Sequence, residues 1–206
     1  YSTNVAAIIK NRHATRSDLL TAGGNGILLL IRIGIAIQPE WRSIITAGTM
    51  IVFLTSAYAL FKKTSLRETM YVYGIVGIAM LVAATAFELN GPALTIAYTI
   101  EAGATIAGIG LILKDHHPAK IASIFLTPSI LIGLESFSRF AWREGIIHSH
   151  FFVLLTVSTV LLSLGYYFYK NKDTIANLYF AIGGIFTAVF LWRILHAAIT
   201  DSETAT

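Results

Sequence analysis

The sequence predicts an all-α fold: a polytopic integral membrane bundle of about seven spanning helices, N-terminus in and C-terminus out. Three observations carry that prediction. Of 206 residues, 55% are hydrophobic and only 13% are charged, with a mean hydropathy of +0.70, whereas soluble domains run at about a quarter charged. Apolar windows of spanning length, roughly 20 residues, recur seven times between short polar connections. The basic residues gather in alternate connections, as the positive-inside rule requires.

The elements follow in order. Residues 1–18 read as a basic cytoplasmic N-terminal segment carrying Lys10, Arg12 and Arg16, too polar for a cleavable signal peptide. Residues 19–198 read as the transmembrane bundle. Its first window, Leu19 to Ile37, is the weakest, because Gly23-Gly24-Asn25-Gly26 and Arg32 interrupt it. Windows from Ser43 to Phe61 and from Thr69 to Glu88 follow, separated by KKTSLRE. The LNGP turn leads to Ala93 to Leu113. The window from Ala119 to Phe140 contains Pro128, whose missing N–H should bend the helix and free a carbonyl near position 124. Windows from His150 to Tyr169 and Thr174 to Ala197 are joined by KNKD, and residues 199–206 form a polar C-terminal tail. Connections this short suit antiparallel neighbours, and no linker or second domain is evident.

Orientation comes from the loops. With a cytoplasmic N-terminus, the inner segments hold Lys10, Arg12, Arg16, Lys62, Lys63, Arg67, Lys114, Lys120, Lys170 and Lys172. The outer ones hold Arg42 and Arg143, with Arg139 at a helix end. Trp41, Trp142 and Trp192 fall near the outer face, and Tyr58, Tyr71, Tyr73, Tyr166, Tyr167, Tyr169 and Tyr179 near the inner one. Aromatic rings with a polar tip favour both interfaces.

This orientation places every intramembrane charge in the outer half of the bilayer. At 1.5 Å per residue, Glu101 lies about 12 Å and Arg32 about 8 Å below the outer helix ends. Glu135 and Arg193 lie nearer the outer ends of their helices, and Glu88, Arg139 and His196 are shallower still. A charge at such depth costs about 2.5–3.5 kcal/mol on insertion scales and normally faces protein or water. Three readings stay open: a structural ion-pair network in which Arg32 and Arg193 serve Glu101 and Glu135, a polar cavity open to the outside, and snorkelling to the interface. Small residues around Glu101, with Gly103/Ala107 and Ala104/Gly108 at four-residue spacing, point to close helix contact.

The remaining motifs exclude more than they suggest. The net charge of +4 is spread between apolar runs, so nucleic acid is not an expected partner. With no cysteine, disulfides, thiolate metal sites and cysteine nucleophiles are excluded. His116-His117 and His148-Ser149-His150 fall on opposite faces and read as solvated loop residues rather than metal ligands. The Gly23–Gly26 run lacks the strand and lysine of a phosphate loop. No histidine or carboxylate sits at helical spacing suited to a Ser/His/Asp arrangement, so no catalytic residue, metal or cofactor is expected.

One region, AATAFELNGPALTIAYTIEAGATIAGIGLILKDHHPAKIASIFL from Ala83 to Leu126, reads as a helix, the short LNGP turn, a helix with A-x-x-x-E-A and a glycine-rich end, then a short basic loop and another apolar helix. It resembles the repeated hairpin unit of a family of large predicted bacterial membrane proteins without assigned function (domain of unknown function 2339), in which a mid-helix glutamate matching Glu101 recurs. The resemblance implies a bacterial envelope protein, a short relative or a fragment of those larger chains, and brings no activity. The expected function is therefore a multi-pass protein of the cell envelope, in the inner (plasma) membrane, with a structural or assembly role. Its expected partners are the lipid bilayer and other membrane subunits. The alternative is a transporter or solute- or lipid-binding protein using an outward cavity around Glu101. A membrane-embedded enzyme on lipid-linked substrates ranks behind both.

Overall fold

The computed structural model describes residues 2–11, 13–64, 66–113, 116–138, 142 and 146–204. Among them the fold is all helix, with no strand. Seven stretches are long and apolar enough to cross a membrane. The interior is apolar, but the outer surface is apolar as well, unlike that of a soluble domain. Leu20 and Ile35 stand 77% and 80% exposed, as do many other leucines and isoleucines to lesser degrees, while Thr46, Thr69, Thr95, Thr99, Ser129, Ser136 and Ser158 are buried. A monomer in water rarely shows so much contiguous apolar surface. In lipid the same arrangement carries no penalty, because hydrocarbon tails are as apolar as leucine. This is a multi-pass membrane protein. Two buried threonines satisfy their hydroxyls within their own helices, Thr46 on the Arg42 carbonyl at 2.6 Å and Thr99 on the Thr95 carbonyl at 2.6 Å.

The chain divides into two compact units, Tyr1–Leu89 and Asn90–Thr206, although its short connections gave no sign of a boundary. The first unit holds α1 (Ser2–Asn11), α2 (Arg16–Ala36), α3 (Pro39–Thr64) and α4 (Arg67–Glu88). Helix α1 lies within the segment read as merely basic and polar. Its Ile8 is buried in a core with Ala22, Phe53, Leu60, Tyr73 and Met80. A capping box starts α2: Asp18 N–H donates to Thr15 Oγ1 and Thr15 N–H to Asp18 Oδ2. The helix then runs unbroken through Gly23-Gly24-Asn25-Gly26. The run that seemed to weaken this span serves its packing: a Cβ on Gly26 would collide with the Val76 side chain of α4, so glycine permits the contact. Arg42, expected in an outer loop, donates its Nε–H to the Ile37 carbonyl at 2.9 Å and so closes the end of α2.

The second unit holds α5 (Gly91–Leu113), α6 (His116–Ala122), α7 (Thr127–Gly133), α8 (Ser149–Lys170) and α9 (Ile175–Thr204). Gly91, at φ +57°, makes the turn into α5 in a backbone region that favours glycine. Gly103 faces Val160, and seven residues further along both helices Gly110 faces Tyr167, so α5 and α8 run in the same direction. Small residues do mediate this contact, but through Gly103 and Gly110. Ala104 is exposed, and Gly108 has open space where a side chain would be. Helices α8 and α9 form an antiparallel hairpin in which Phe168 stacks on Tyr179, ring centroids 5.4 Å apart. Helix α9 extends through Thr204, so residues 199–204 continue the last span as helix.

The span with Pro128 is segmented: α6, a 3-10 turn over Ser123–Leu126, α7, and a second 3-10 turn over Leu134–Phe137. The carbonyl expected to be free near position 124 is taken. Thr127 N–H donates to the Ile124 carbonyl, so the chain tightens to i→i+3 bonding just before the residue that cannot donate. The aromatic assignment also changes. Tyr58, Tyr166, Tyr169, Trp41 and Trp192 are exposed, but Tyr73, Tyr179 and Trp142 are core residues. Tyr179 donates to Ser123 Oγ at 2.6 Å, a bond that makes burial of a phenol tolerable.

Candidate functional site

The residues expected to form one charge network are distributed as follows. Arg32 and Glu88 belong to the first unit, where both are exposed; Arg32 projects among exposed Leu28, Ile31 and Ile35. Glu101, Glu135, Arg193 and His196 belong to the second unit, and Arg139 lies outside the described residues. Glu101 is half-buried at mid-length of α5 with its Oε2 sealed from solvent. Tyr98 and Thr105, one turn to either side on the same helix face, are half-buried with it. Glu135 is exposed on the second 3-10 turn. His196 is exposed, its ring parallel to that of Trp192 at 6.3 Å between centroids.

Arg193 is half-buried, and its Nη2 donates to the Phe137 carbonyl. The last carbonyls of a helical segment lack partners within it and carry partial negative charge, so a guanidinium placed there both satisfies and neutralises them. That competes directly with pairing to Glu135 two residues earlier, whose carboxylate reaches solvent.

Around this arginine contact lies a polar cluster that sequence spacing did not reveal. The Trp142 indole N–H donates to the Ser136 carbonyl at 3.0 Å. The Ser136 hydroxyl and His150 Nδ1 lie 3.0 Å apart. His148 caps α8 by accepting the His150 backbone N–H on its Nδ1 at 3.1 Å, and its ring packs edge-on to Trp142 with centroids 4.5 Å apart. These histidines are half-buried parts of a fold, not the solvated loop residues their local sequence suggested. The signals lay in separate places: a serine at position 136 and a histidine at 150 converge only once the helices pack. A serine–histidine pair has the elements of a nucleophile and its base. Here the serine is only 2% exposed, so the pair ties the 3-10 turn to the start of α8 and presents no accessible hydroxyl. Among the described residues, no three His, Cys, Asp or Glu side chains converge to hold a metal.

An ion pair forms at the opposite end of the unit, between Lys120 Nζ and Asp173 Oδ2 at 2.7 Å. The other oxygen of Asp173 accepts the Ile175 N–H at 3.2 Å and caps α9. Asp173 escapes hydropathy windows, although Asp two residues before an apolar run, after KNK, is a helix-start signal.

The fold and site together define a helical multi-pass membrane protein whose described polar side chains mostly serve its own backbone. The chain matches no protein-family model, no curated protein and no solved structure.

Proposed function

We propose that this chain is a non-enzymatic, structural or assembly-forming multi-pass protein of a bacterial cell envelope, seated in the inner membrane with a cytoplasmic N-terminus. The observation that carries the reading is the engagement of the polar groups around Arg193. Arg193 Nη2 and the Trp142 indole donate to main-chain carbonyls and Ser136 pairs with His150, which supports a role in holding helix ends together rather than lining a passage. Burial of charge without direct gain in stability is consistent with a role in specifying one arrangement. The bacterial envelope setting rests on the resemblance of Ala83–Leu126, and the orientation on the distribution of lysine and arginine.

Half-burial of Glu101 favours the second reading, transport through a polar passage at that carboxylate. Proteoliposomes separate the two. An imposed pH gradient should decay at the same rate with wild type and with Glu101→Gln, both inserting normally. A proton flux that Glu101→Gln abolishes would sink the structural reading. For assembly, photo-crosslinkers placed at Ile31 and Ile35 in native membranes should give discrete protein adducts; adducts with lipid alone would count against it.

A further inference from the structure

The turn between α8 and α9 borders an open cleft of ≈510 Å³ lined by Tyr169, Lys170, Lys172, Asp173, Thr174, Ala176 and Asn177. We propose that this cleft binds the phosphate of an anionic phospholipid headgroup through Lys170 and Lys172. The inference requires that α8 and α9 cross a membrane; it does not depend on the assembly role.

The turn is fixed by its own bonds. Asn171 and Asp173 N–H groups both reach the Phe168 carbonyl, Lys172 N–H reaches that of Tyr169, and the Asn171 amide donates to the Tyr167 carbonyl at 2.7 Å. Lys172 sits at φ +57°, in the left-handed region, so the chain reverses there, and Lys170 and Lys172 both line the cleft. The backbone that positions both lysines is thus set before any ligand arrives, and binding need not pay to order it.

Charge decides the ligand. Asp173 is the carboxylate of the cleft, and both its oxygens are engaged, one by the α9 backbone and one by Lys120. Its side chain is only 8% exposed. Lys170 and Lys172 are exposed, and neither forms an ion pair among the described residues. The cleft therefore offers two ammonium groups, the Thr174 hydroxyl and the Asn177 amide, with its carboxylate turned inward. That donor set calls for an anion with several acceptor oxygens.

Position decides the source. Lys170 ends a span and Ile175 begins the next, so the cleft lies at the depth of the lipid headgroups. Tyr169, 65% exposed beside it, has the ring-and-hydroxyl character favoured at that level. Both lysines lie on the face that the loop charges assign to the cytoplasm, whose leaflet carries anionic lipid.

The test uses the full chain purified in mild detergent, with phosphatidylglycerol or phosphatidylcholine of matched acyl chains added. The readouts are thermal unfolding and lipid retained in native mass spectra. Phosphatidylglycerol should raise the melting temperature and remain bound. Lys170→Gln/Lys172→Asn should weaken that binding at least tenfold, asparagine being chosen because it tolerates the left-handed backbone. Lys62→Gln/Lys63→Gln should retain it, which separates a built cleft from diffuse surface charge. Equal effects of the two lipids, an unchanged response in the Lys170/Lys172 variant, or a matching shift with inorganic phosphate alone would each overturn the proposal.

Discussion

Asp173 performs two tasks with one carboxylate, and the two can be separated by substitution. Asp173→Asn keeps a cap for α9 and loses the ion pair with Lys120. Because Lys120 is well exposed, that pair contributes at most about 1 kcal/mol. Asp173→Ala also loses the cap, adding about 1 kcal/mol more. Chemical unfolding should therefore rank wild type, Asn, then Ala, and equal losses in both variants would contradict the assignment of the cap. Ser158 makes the opposite case: its Oγ is buried on α8 without a hydrogen-bond partner among the described residues. Removing an unsatisfied buried hydroxyl is close to neutral or stabilising. Ser158→Ala should keep or raise the melting temperature, whereas a clear fall would reveal a bond that the hydroxyl makes. At this scale the sequence exposed which residues were unusual, not what they touch. Arg193 stood out as a charge in an apolar run, and its partner proved to be a carbonyl, a group every residue carries and no sequence pattern marks.

Element existence was legible almost throughout. Hydropathy over a window of membrane thickness depends only on composition and order, and every one of the seven windows corresponds to a helical span. What the windows missed was internal detail. Helix α1 is short and half apolar, so no spanning window detects it; only packing against the first unit's core gives Ile8 its role. Around Pro128 a bend was expected, and the chain instead alternates α and 3-10 turns, because Thr127 N–H can reach the Ile124 carbonyl when Pro128 cannot. The glycine run in α2 gives an element-scale prediction. Gly26→Leu should destabilise the α2–α4 contact by about 1–3 kcal/mol through overpacking. Gly24→Leu, where the structure has open space, should change stability by far less. Urea unfolding of the two variants measures the contrast, and similar losses would place the crowding elsewhere than at Val76.

For the whole molecule, membrane class follows from seven helices long and apolar enough to span, with many large apolar side chains exposed around apolar cores. Orientation is testable because the chain has no cysteine of its own. In intact cells, a membrane-impermeant thiol reagent should label Ser149→Cys and spare Asn171→Cys; the reverse pattern would invert the topology. Composition and loop charge by themselves determined the all-α class, the number of spans and the expected orientation, since each depends on how segments partition between water and lipid one at a time. Only the tertiary structure decided that the chain forms two units, that Arg193 serves the Phe137 carbonyl, and that Ser136, Trp142, His148 and His150 converge. Those outcomes depend on which helix faces meet, and in lipid that choice is made by small residues and hydrogen bonds rather than by hydropathy.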